Sequence, residues 1–150
     1  MEKILVSACL MGEKVRYDGK AKLLNHPLWQ KWQEQGRLVA VCPEVAGGLP
    51  VPRPAAEIQQ LHGQIKVVTQ NGDDLTRQFL SGAEYALKIA KANNVRIAIL
   101  TEGSPSCGSS VVHDGKFSNE MIKGEGVTTA LLRKNGIKVF SHKQLDLVGE

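Results

Sequence analysis

Three cysteines are the residues whose type and position most directly suggest chemistry. Cys9, Cys42 and Cys107 each come after a short apolar run that is typical of a buried strand. Three converging thiolates can hold a metal and leave one coordination position open. Zinc bound in this way would carry a water molecule, whereas an iron–sulfur cluster, which usually has four cysteine ligands, would keep one iron free. The alternative is three unrelated buried thiols, because free cysteine is among the most buried residue types.

The number and spacing of the cysteines disfavour other cysteine chemistries. Three is an odd number, the gaps along the chain are long, and no C-x-x-C pair occurs. A disulfide framework needs an even number of cysteines, and zinc fingers and redox dithiols normally show the close pair.

The elements that must position these cysteines can be predicted from the apolar pattern. Strands are predicted at residues 4–8, 38–41, 95–100 and 137–140, with a further extended piece at 64–68. Helices are predicted from His26 and Pro27 to Gly36 with Asn25 as N-cap, over 74–93, from about Val127 to Gly136, and after Ser141. Residues 43–54, with four prolines, and residues 101–124 are predicted to be irregular.

The predicted strands are almost continuously apolar, which is typical of a parallel sheet covered on both faces. Right-handed crossovers put the carboxyl ends of such strands on one edge, where ligands bind. We therefore predict that residues 1–150 form a single α/β domain, a three-layer sandwich with a mainly parallel, Rossmann-like sheet. All three cysteines are expected at one edge of that sheet.

Composition excludes some functions and leaves others open. No apolar run approaches the roughly 20 residues needed to span a bilayer, so we expect no membrane partner and a cytoplasmic location. The net charge of +4 comes from dispersed lysines and arginines, which indicates a solvated basic surface or attraction of an anionic small molecule or nucleotide. No aromatic side chains are interleaved with the basic ones, which disfavours a nucleic-acid partner. The sequence gives no oligomeric state.

Four motifs resemble those of a bacterial family described as thiouracil desulfidases. They are SACLMG at residues 7–12 with VRYDG at 15–19, VCPEVAGGLPVPR at 41–53, EGSPSCG at 102–108 and GEGVTTALL at 124–132. The resemblance covers nearly the whole chain, and the three cysteine-bearing motifs are specific in combination.

The resemblance implies a cofactor and a reaction. Cys9, Cys42 and Cys107 would ligate a [4Fe–4S] cluster, whose free iron would capture the sulfur of a thiolated pyrimidine such as 2- or 4-thiouracil. Water would then replace sulfur at the ring carbon to give uracil and sulfide. In this reaction the cluster is a Lewis acid and carries no electrons.

Water attack on such a substrate needs a general base. Glu44 lies two residues after Cys42, so we predict that it is this base, the alternative being a surface carboxylate or an acceptor within a loop. Ser104 is predicted to carry a proton or to donate to the substrate, the alternative being a turn residue that bonds to its own backbone.

Further residues near the motifs are candidate substrate-binding groups. Ser106, like Ser104, is predicted to donate to the substrate ring or to carry a proton, the alternative being a turn residue that bonds to its own backbone. Asp18 is predicted to orient the substrate or to stabilise its own Asp-Gly turn. Gly47 and Gly48 are predicted to allow close backbone approach to the cluster or ligand. Arg53, Lys14 and Arg16 are expected to be solvated charges, the alternative being contact with a phosphate if the substrate is a thiolated nucleotide.

Two other classes of function are compatible with the same three cysteines. One is a cysteine-based sulfur carrier or metal-binding module with no turnover, which has no need of Glu44. The other is a zinc hydrolase with three cysteine ligands. The four histidines, His26, His62, His113 and His142, show no ligand spacing and are expected not to bind metal.

Overall fold

The structure is a computed structural model that describes residues 2–61 and 63–148, with the backbone alone described at Leu61. The prediction for His62 therefore lies outside the described residues.

Alternating strands and helices make up most of the described chain. The strands are β1 (Ile4–Ser7), β2 (Leu38–Val41), β3 (Ala56–Leu61), β4 (Gln64–Thr69), β5 (Ile97–Leu100), β6 (Val111–His113), β7 (Met121–Lys123) and β8 (Lys138–Ser141). The helices are α1 (Pro27–Glu34), α2 (Pro43–Ala46), α3 (Thr76–Ala92), α4 (Val127–Lys134) and α5 (Leu145–Val148), and a 3₁₀ turn covers Ala8–Met11. Among these helices, none is long and apolar enough to cross a membrane.

A four-stranded parallel sheet forms the centre of the fold, in the order β2-β1-β5-β8. In its register Leu5 lies opposite Val39 of β2 and Ala98 of β5. Because parallel neighbours need crossover connections, α1 links β1 to β2, and α4 lies between β5 and β8 along the chain. The carboxyl ends of all four strands therefore lie on one edge.

The sheet buries both of its faces, because successive side chains of a strand point to opposite sides. On one face the apolar side chains of the sheet pack with α3 and α4, in a core that includes Leu5, Ala98, Leu100, Ala86, Ala90 and Leu132. On the other face they pack with α1 and α5, in a core that includes Ile4, Val6, Ile99, Trp29, Trp32 and Leu145. The predicted three-layer α/β sandwich with a parallel sheet is confirmed.

Two small antiparallel hairpins were not predicted as such. β3 pairs with β4, and β6 pairs with β7. The prediction of a structureless segment over residues 101–124 is wrong, because strands of three residues are too short to show an apolar period. The sequence predicts no strand at β3, because polar residues interrupt its apolar pattern.

The prediction that the prolines of residues 43–54 exclude a helix is also wrong. α2 begins at Pro43, and proline is tolerated at the first position of a helix because its missing N–H would have no partner there. A second correction concerns α1, whose N-cap is His26 and not Asn25. The Nδ1 atom of His26 accepts the backbone N–H of Leu28 at 3.1 Å.

Candidate active site

One cavity of about 510 Å³ opens at the carboxyl edge of the parallel sheet and is lined by all three cysteines. The ends of β1, β2 and β5 each contribute one of them. The remaining walls come from the loop after the 3₁₀ turn, from α2, from the start of β3 and from the β6–β7 hairpin. They include Arg16, Tyr17, Lys22, Glu44, Glu57, His113 and Phe117. The predicted convergence of the cysteines at one edge therefore holds in the structure.

Cys9 lies in the 3₁₀ turn that follows β1 directly. The turn ends at Gly12, which adopts a left-handed conformation with φ 93° that favours glycine. The Sγ atom of Cys9 lies 3.0 Å from Oγ1 of Thr101, at the end of the neighbouring strand β5. Thr101 is itself tied back to β1, since its N–H donates to Oγ of Ser7 at 2.9 Å.

Cys42 occupies the N-cap position of α2. Its Sγ atom makes only a long contact of 3.8 Å with the carbonyl oxygen of Val15. Burial raises the pKa of the Cys42 thiol, and the backbone N–H of Val45 acts in the opposite direction. The sulfur is thus held beside the start of a helix without a strong hydrogen bond of its own.

Cys107 is the most deeply placed of the three sulfurs. Burial raises the pKa of its thiol to about 12, a hydrogen bond with Ser7 lowers it, and the nearby charges of Glu44, Cys42 and Cys9 raise it again. The effect of Cys42 and Cys9 on the pKa of Cys107 reflects the proximity of the three cysteines. All three are free thiols, so metal binding would have to displace their protons.

The donor set fits an iron–sulfur cluster. Soft thiolates that line the same cavity are the usual cluster ligands, and a cluster offers each cysteine a separate iron. A single zinc ion instead needs sulfurs that converge on one point at about 2.3 Å. Across residues 2–61 and 63–148, no three His, Cys, Asp or Glu side chains are arranged to hold a single metal ion.

Glu44 lines the cavity and is held from two sides. Its Oε1 atom accepts from Nε of Arg53 at 3.0 Å, and its Oε2 atom accepts from the hydroxyl of Ser104 at 3.3 Å. Arg53 also donates to the carbonyl oxygens of Pro50 and Val15, at 3.0 and 2.9 Å. The expectation that Arg53 is a solvated charge is wrong, because only 3% of its side chain is exposed.

Ser104 connects Glu44 to the loop that carries Cys107. While its hydroxyl donates to Glu44, its Oγ atom accepts the backbone N–H groups of Ser106 and Cys107 at 3.0 and 3.1 Å. Ser104 therefore forms the turn that was the alternative prediction, and it also meets the carboxylate in the cavity, while its role toward a proton or a substrate stays a prediction.

Glu102 is a cavity residue whose role sequence reasoning missed. Its carboxylate accepts the backbone N–H groups of Ser109, Ser110 and Val111 at 2.8, 3.1 and 3.2 Å, and the hydroxyls of Ser109 and Ser110 at 2.9 and 2.8 Å. Burial raises its pKa, but these hydrogen bonds outweigh burial and lower it to about 2. These hydrogen bonds connect Glu102, which precedes Cys107, to residues 109–111, which follow it, and so close the Cys107 loop. The run of serines after Cys107 was the available signal.

Four predicted substrate-binding residues are not among the residues that line the cavity. Ser106 is fully buried and its hydroxyl bonds to Oγ1 of Thr128 at 2.8 Å. Asp18 accepts the N–H of Lys20 at 3.0 Å, which is the turn-stabilising alternative. These two side chains act on the protein's own backbone and core, so the structure does not place them for contact with a ligand.

Gly47 and Gly48 also lie away from the cavity lining. A Cβ atom at Gly47 would lie 2.0 Å from the carbonyl oxygen of Gln78, so this glycine allows α2 to approach α3. Gly48 has φ 98° with open space around it, so its need for glycine is conformational. The predicted close backbone approach is therefore between two helices at Gly47.

Comparison with known protein families identifies the family of this chain. The model of the family described as 2-thiouracil desulfurase matches residues 4–144. This chain belongs to the 2-thiouracil desulfurase family. The match includes every cysteine-bearing motif and all of the cavity-lining residues discussed above, so the cavity belongs to the part of the chain that the family shares.

Two known proteins are similar to this chain over nearly its whole length. The uncharacterized protein YbbK of Bacillus subtilis (strain 168) is 40% identical over 152 residues, which cover 95% of this chain and 97% of that protein. A solved structure of TudS, described as a [4Fe–4S]-dependent thiouracil desulfidase, is 51% identical with a TM-score of 0.94, and the alignment covers 99% of this chain and 95% of TudS.

Proposed function

We propose that this chain removes sulfur from thiolated pyrimidines such as 2- or 4-thiouracil, using a [4Fe–4S] cluster held by Cys9, Cys42 and Cys107. The observation that carries the proposal is that thiols from three separate strand ends line one cavity in a member of the 2-thiouracil desulfurase family. The [4Fe–4S] dependence of TudS at 51% identity supports the choice of cofactor.

The reaction needs no electron donor or acceptor. Thiouracil and water give uracil and hydrogen sulfide, so one carbon–sulfur bond breaks and one carbon–oxygen bond forms. When bound, the cluster would supply an iron without a protein ligand, which is a soft Lewis acid suited to the sulfur of the substrate.

Glu44 is the proposed general base. The water that attacks the ring carbon has to lose a proton, and a carboxylate oxygen in the same cavity as the cysteines can accept it. Hydrogen bonds from Arg53 and Ser104 fix both carboxylate oxygens, so the group is held in one orientation. An oriented base contributes more than a mobile one, because the reacting geometry is prepared before the substrate arrives.

Ser104 is the proposed proton carrier next to this base. Its hydroxyl donates to Oε2 of Glu44, 3.3 Å away, so it can give this hydrogen to the carboxylate while its Oγ atom takes a proton from the attacking water. We assign supporting roles to the four predicted residues outside the cavity lining. Ser106 and Asp18 hold loops, Gly47 allows α2 to pack on α3, and Gly48 shapes the turn after α2.

Anaerobic reconstitution followed by a sulfide-release assay tests this function. The wild-type protein should take up about four irons per chain and release sulfide from 2- or 4-thiouracil. Glu44→Gln should keep its cluster absorption and lose turnover by at least about a hundredfold. Release that persists in iron-free protein would refute the proposal. An unchanged Glu44→Gln rate would refute the assigned base, and absence of turnover in the cluster-loaded wild type would favour a sulfur carrier.

A further inference from the structure

We propose that the ring of Phe117 is the surface on which the pyrimidine ring of the substrate stacks, and that Glu57 is the positioning residue that holds Phe117 there. The nature of the substrate rests on the function proposed above. The role of Phe117 rests on separate observations, namely its place in the cavity, its backbone conformation and the buried carboxylate that holds it.

Phe117 lies in the loop between β6 and β7, and this loop forms one wall of the cavity. Phe117 and Asn119 both line the cavity, on the hairpin that follows the Cys107 loop. Tyr17 also lines the cavity, but 44% of it is exposed. Phe117 is partly buried, so its ring is held in the wall of the cavity.

The backbone of Phe117 has an unusual conformation. Its φ is 57°, in the left-handed region, and Asn119 has φ 62°. Asparagine tolerates this region, whereas a bulky aromatic residue there is a true outlier. Strained residues of this kind persist only where the surrounding structure fixes them, and they cluster at ligand sites.

Glu57 provides that fixation from the neighbouring strand β3. Only 8% of Glu57 is exposed, and its Oε1 atom accepts the backbone N–H groups of Gly115 and Phe117 at 3.0 and 3.2 Å. On the same strand, Nε2 of Gln59 donates to the carbonyl oxygen of Gly115 at 2.8 Å. Glu57, which itself lines the cavity, thus uses a mostly buried carboxylate to hold the backbone of the loop that brings Phe117 and Asn119 to the cavity.

The loop also packs so closely on β3 that it has little room to move. A Cβ atom on Gly115 would lie 2.6 Å from the carbonyl oxygen of Ile58, and Gly115 has φ 87°. Within the loop, Asp114 accepts the N–H of Lys116 at 2.9 Å and the hydroxyl of Ser118 at 3.2 Å. The ring of Phe117 is therefore carried on a rigid support.

A rigid phenyl ring in the wall of a cavity with both polar and apolar lining suits one kind of ligand. Flat heteroaromatic rings such as pyrimidines have polar edges and apolar faces, and aromatic side chains bind the faces by stacking. Stacking would orient the ring plane relative to the cysteines and leave the sulfur at the ring edge free to face them. Phe117 would then favour aromatic rings over saturated analogues of the same size.

The test compares uracil with 5,6-dihydrouracil, which has the same polar groups but a ring that is not aromatic. Equilibrium binding of both compounds is measured on the cluster-loaded wild type, Phe117→Leu and Phe117→Tyr. The wild type and Phe117→Tyr should prefer uracil, and Phe117→Leu should lose that preference, with the KM for thiouracil raised roughly tenfold. Lys116→Ala, an exposed side chain in the same loop, is the matched control and should behave as wild type.

Glu57→Gln tests the positioning role. If Glu57 acts through Phe117, Glu57→Gln raises the KM in the wild-type background but not in the Phe117→Leu background, because the ring is already absent. A purely structural role would lower thermal stability and change the KM equally in both backgrounds. Iron content and cluster absorption are measured in each variant, so that a misfolded protein is recognised.

The outcomes separate this inference from the proposed function. Equal binding of uracil and dihydrouracil by the wild type, or an unchanged preference in Phe117→Leu, would overturn the role of Phe117. Absence of sulfide release from the wild type would count against the proposed function, and the comparison of uracil with dihydrouracil would still decide the role of Phe117.

Discussion

Nε of Arg53 lies 3.0 Å from Oε1 of Glu44, and the exposed fractions of the two side chains are 3% and 16%. The candidate general base is thus part of an ion pair that is mostly removed from solvent. Arg53 also satisfies the carbonyl oxygens of Val15 and Pro50. The loop that follows Cys9 and the loop that follows Cys42 therefore meet at one guanidinium group.

We predict that Arg53→Leu lowers the free energy of unfolding by about 3 kcal/mol, because it leaves the Glu44 carboxylate and two carbonyl groups without partners. Urea unfolding measures this loss. Arg53→Lys keeps the charge but not the forked geometry, so it should lose about tenfold in kcat with a smaller loss of stability. If both variants were as stable and as active as the wild type, the pairing would have no role.

The carboxylate of Glu102 should make the protein sensitive to acid. Its pKa in the folded protein is about 2, against an ordinary value of 4.5. Because the folded pKa is the lower one, its stabilisation is fully present above about pH 4.5 and is lost as the pH falls through about 2.

The measurement is urea unfolding of cluster-free wild type and Glu102→Gln at pH values above about 4.5 and down to about 2. The wild type should lose about 1–2 kcal/mol relative to Glu102→Gln on acidification, less than the full pKa shift implies because solvent screens a partly exposed group. Parallel curves for the two proteins across that window would contradict the role given to Glu102.

The glycines at the contact of α2 with α3 should be intolerant of alanine. A Cβ at Gly47 would lie 2.0 Å from the carbonyl oxygen of Gln78, and one at Gly82 would lie 1.8 Å from the carbonyl oxygen of Pro43. Both contacts are with backbone, so either substitution should destabilise the protein by about 3 kcal/mol. Ser81→Ala on the exposed side of α3 is the control. If Gly47→Ala had normal stability, the packing of α2 on α3 would not require this glycine, and the prediction that it approaches the cluster or ligand would stand.

Because the backbone of Phe117 is strained, we predict that glycine at this position gives a more stable protein than alanine. Both Phe117→Gly and Phe117→Ala remove the ring, but only glycine adopts φ 57° freely. Phe117→Gly should therefore be more stable than Phe117→Ala by about 1 kcal/mol, measured by urea unfolding. The reverse order, which is usual where φ is negative, would show that the left-handed conformation is not maintained.

Much of the fold could be predicted from the sequence because the sheet is buried on both faces. Runs such as Leu38–Val41 have no polar interruption, and the structure gives this strand the predicted bounds. The hairpins could not be predicted in the same way. β6 and β7 have only three residues each, and of the longer hairpin only an extended piece within β4 was predicted, because polar residues interrupt the pattern of β3. The β6–β7 loop, with Phe117, was missed because its two strands are so short.

The candidate site was predictable where residue type decides the chemistry. Thiols at strand ends and a carboxylate beside Cys42 are visible in the sequence, and the structure places them in one cavity. The partners of these groups were not visible, because they depend on contacts between distant parts of the chain. Arg53 with Glu44 and Glu57 with Phe117 are such pairs, and Ser106 was placed in the site on proximity to Cys107 alone.

The central claim is that three cysteines together hold the cofactor on which sulfur removal depends. The most direct measurement is the iron content and sulfide release of anaerobically reconstituted wild type and Cys107→Ser. We expect about four irons per chain and sulfide from 2- or 4-thiouracil in the wild type, and loss of both in the variant. A Cys107→Ser protein that still releases sulfide at the wild-type rate would contradict the account.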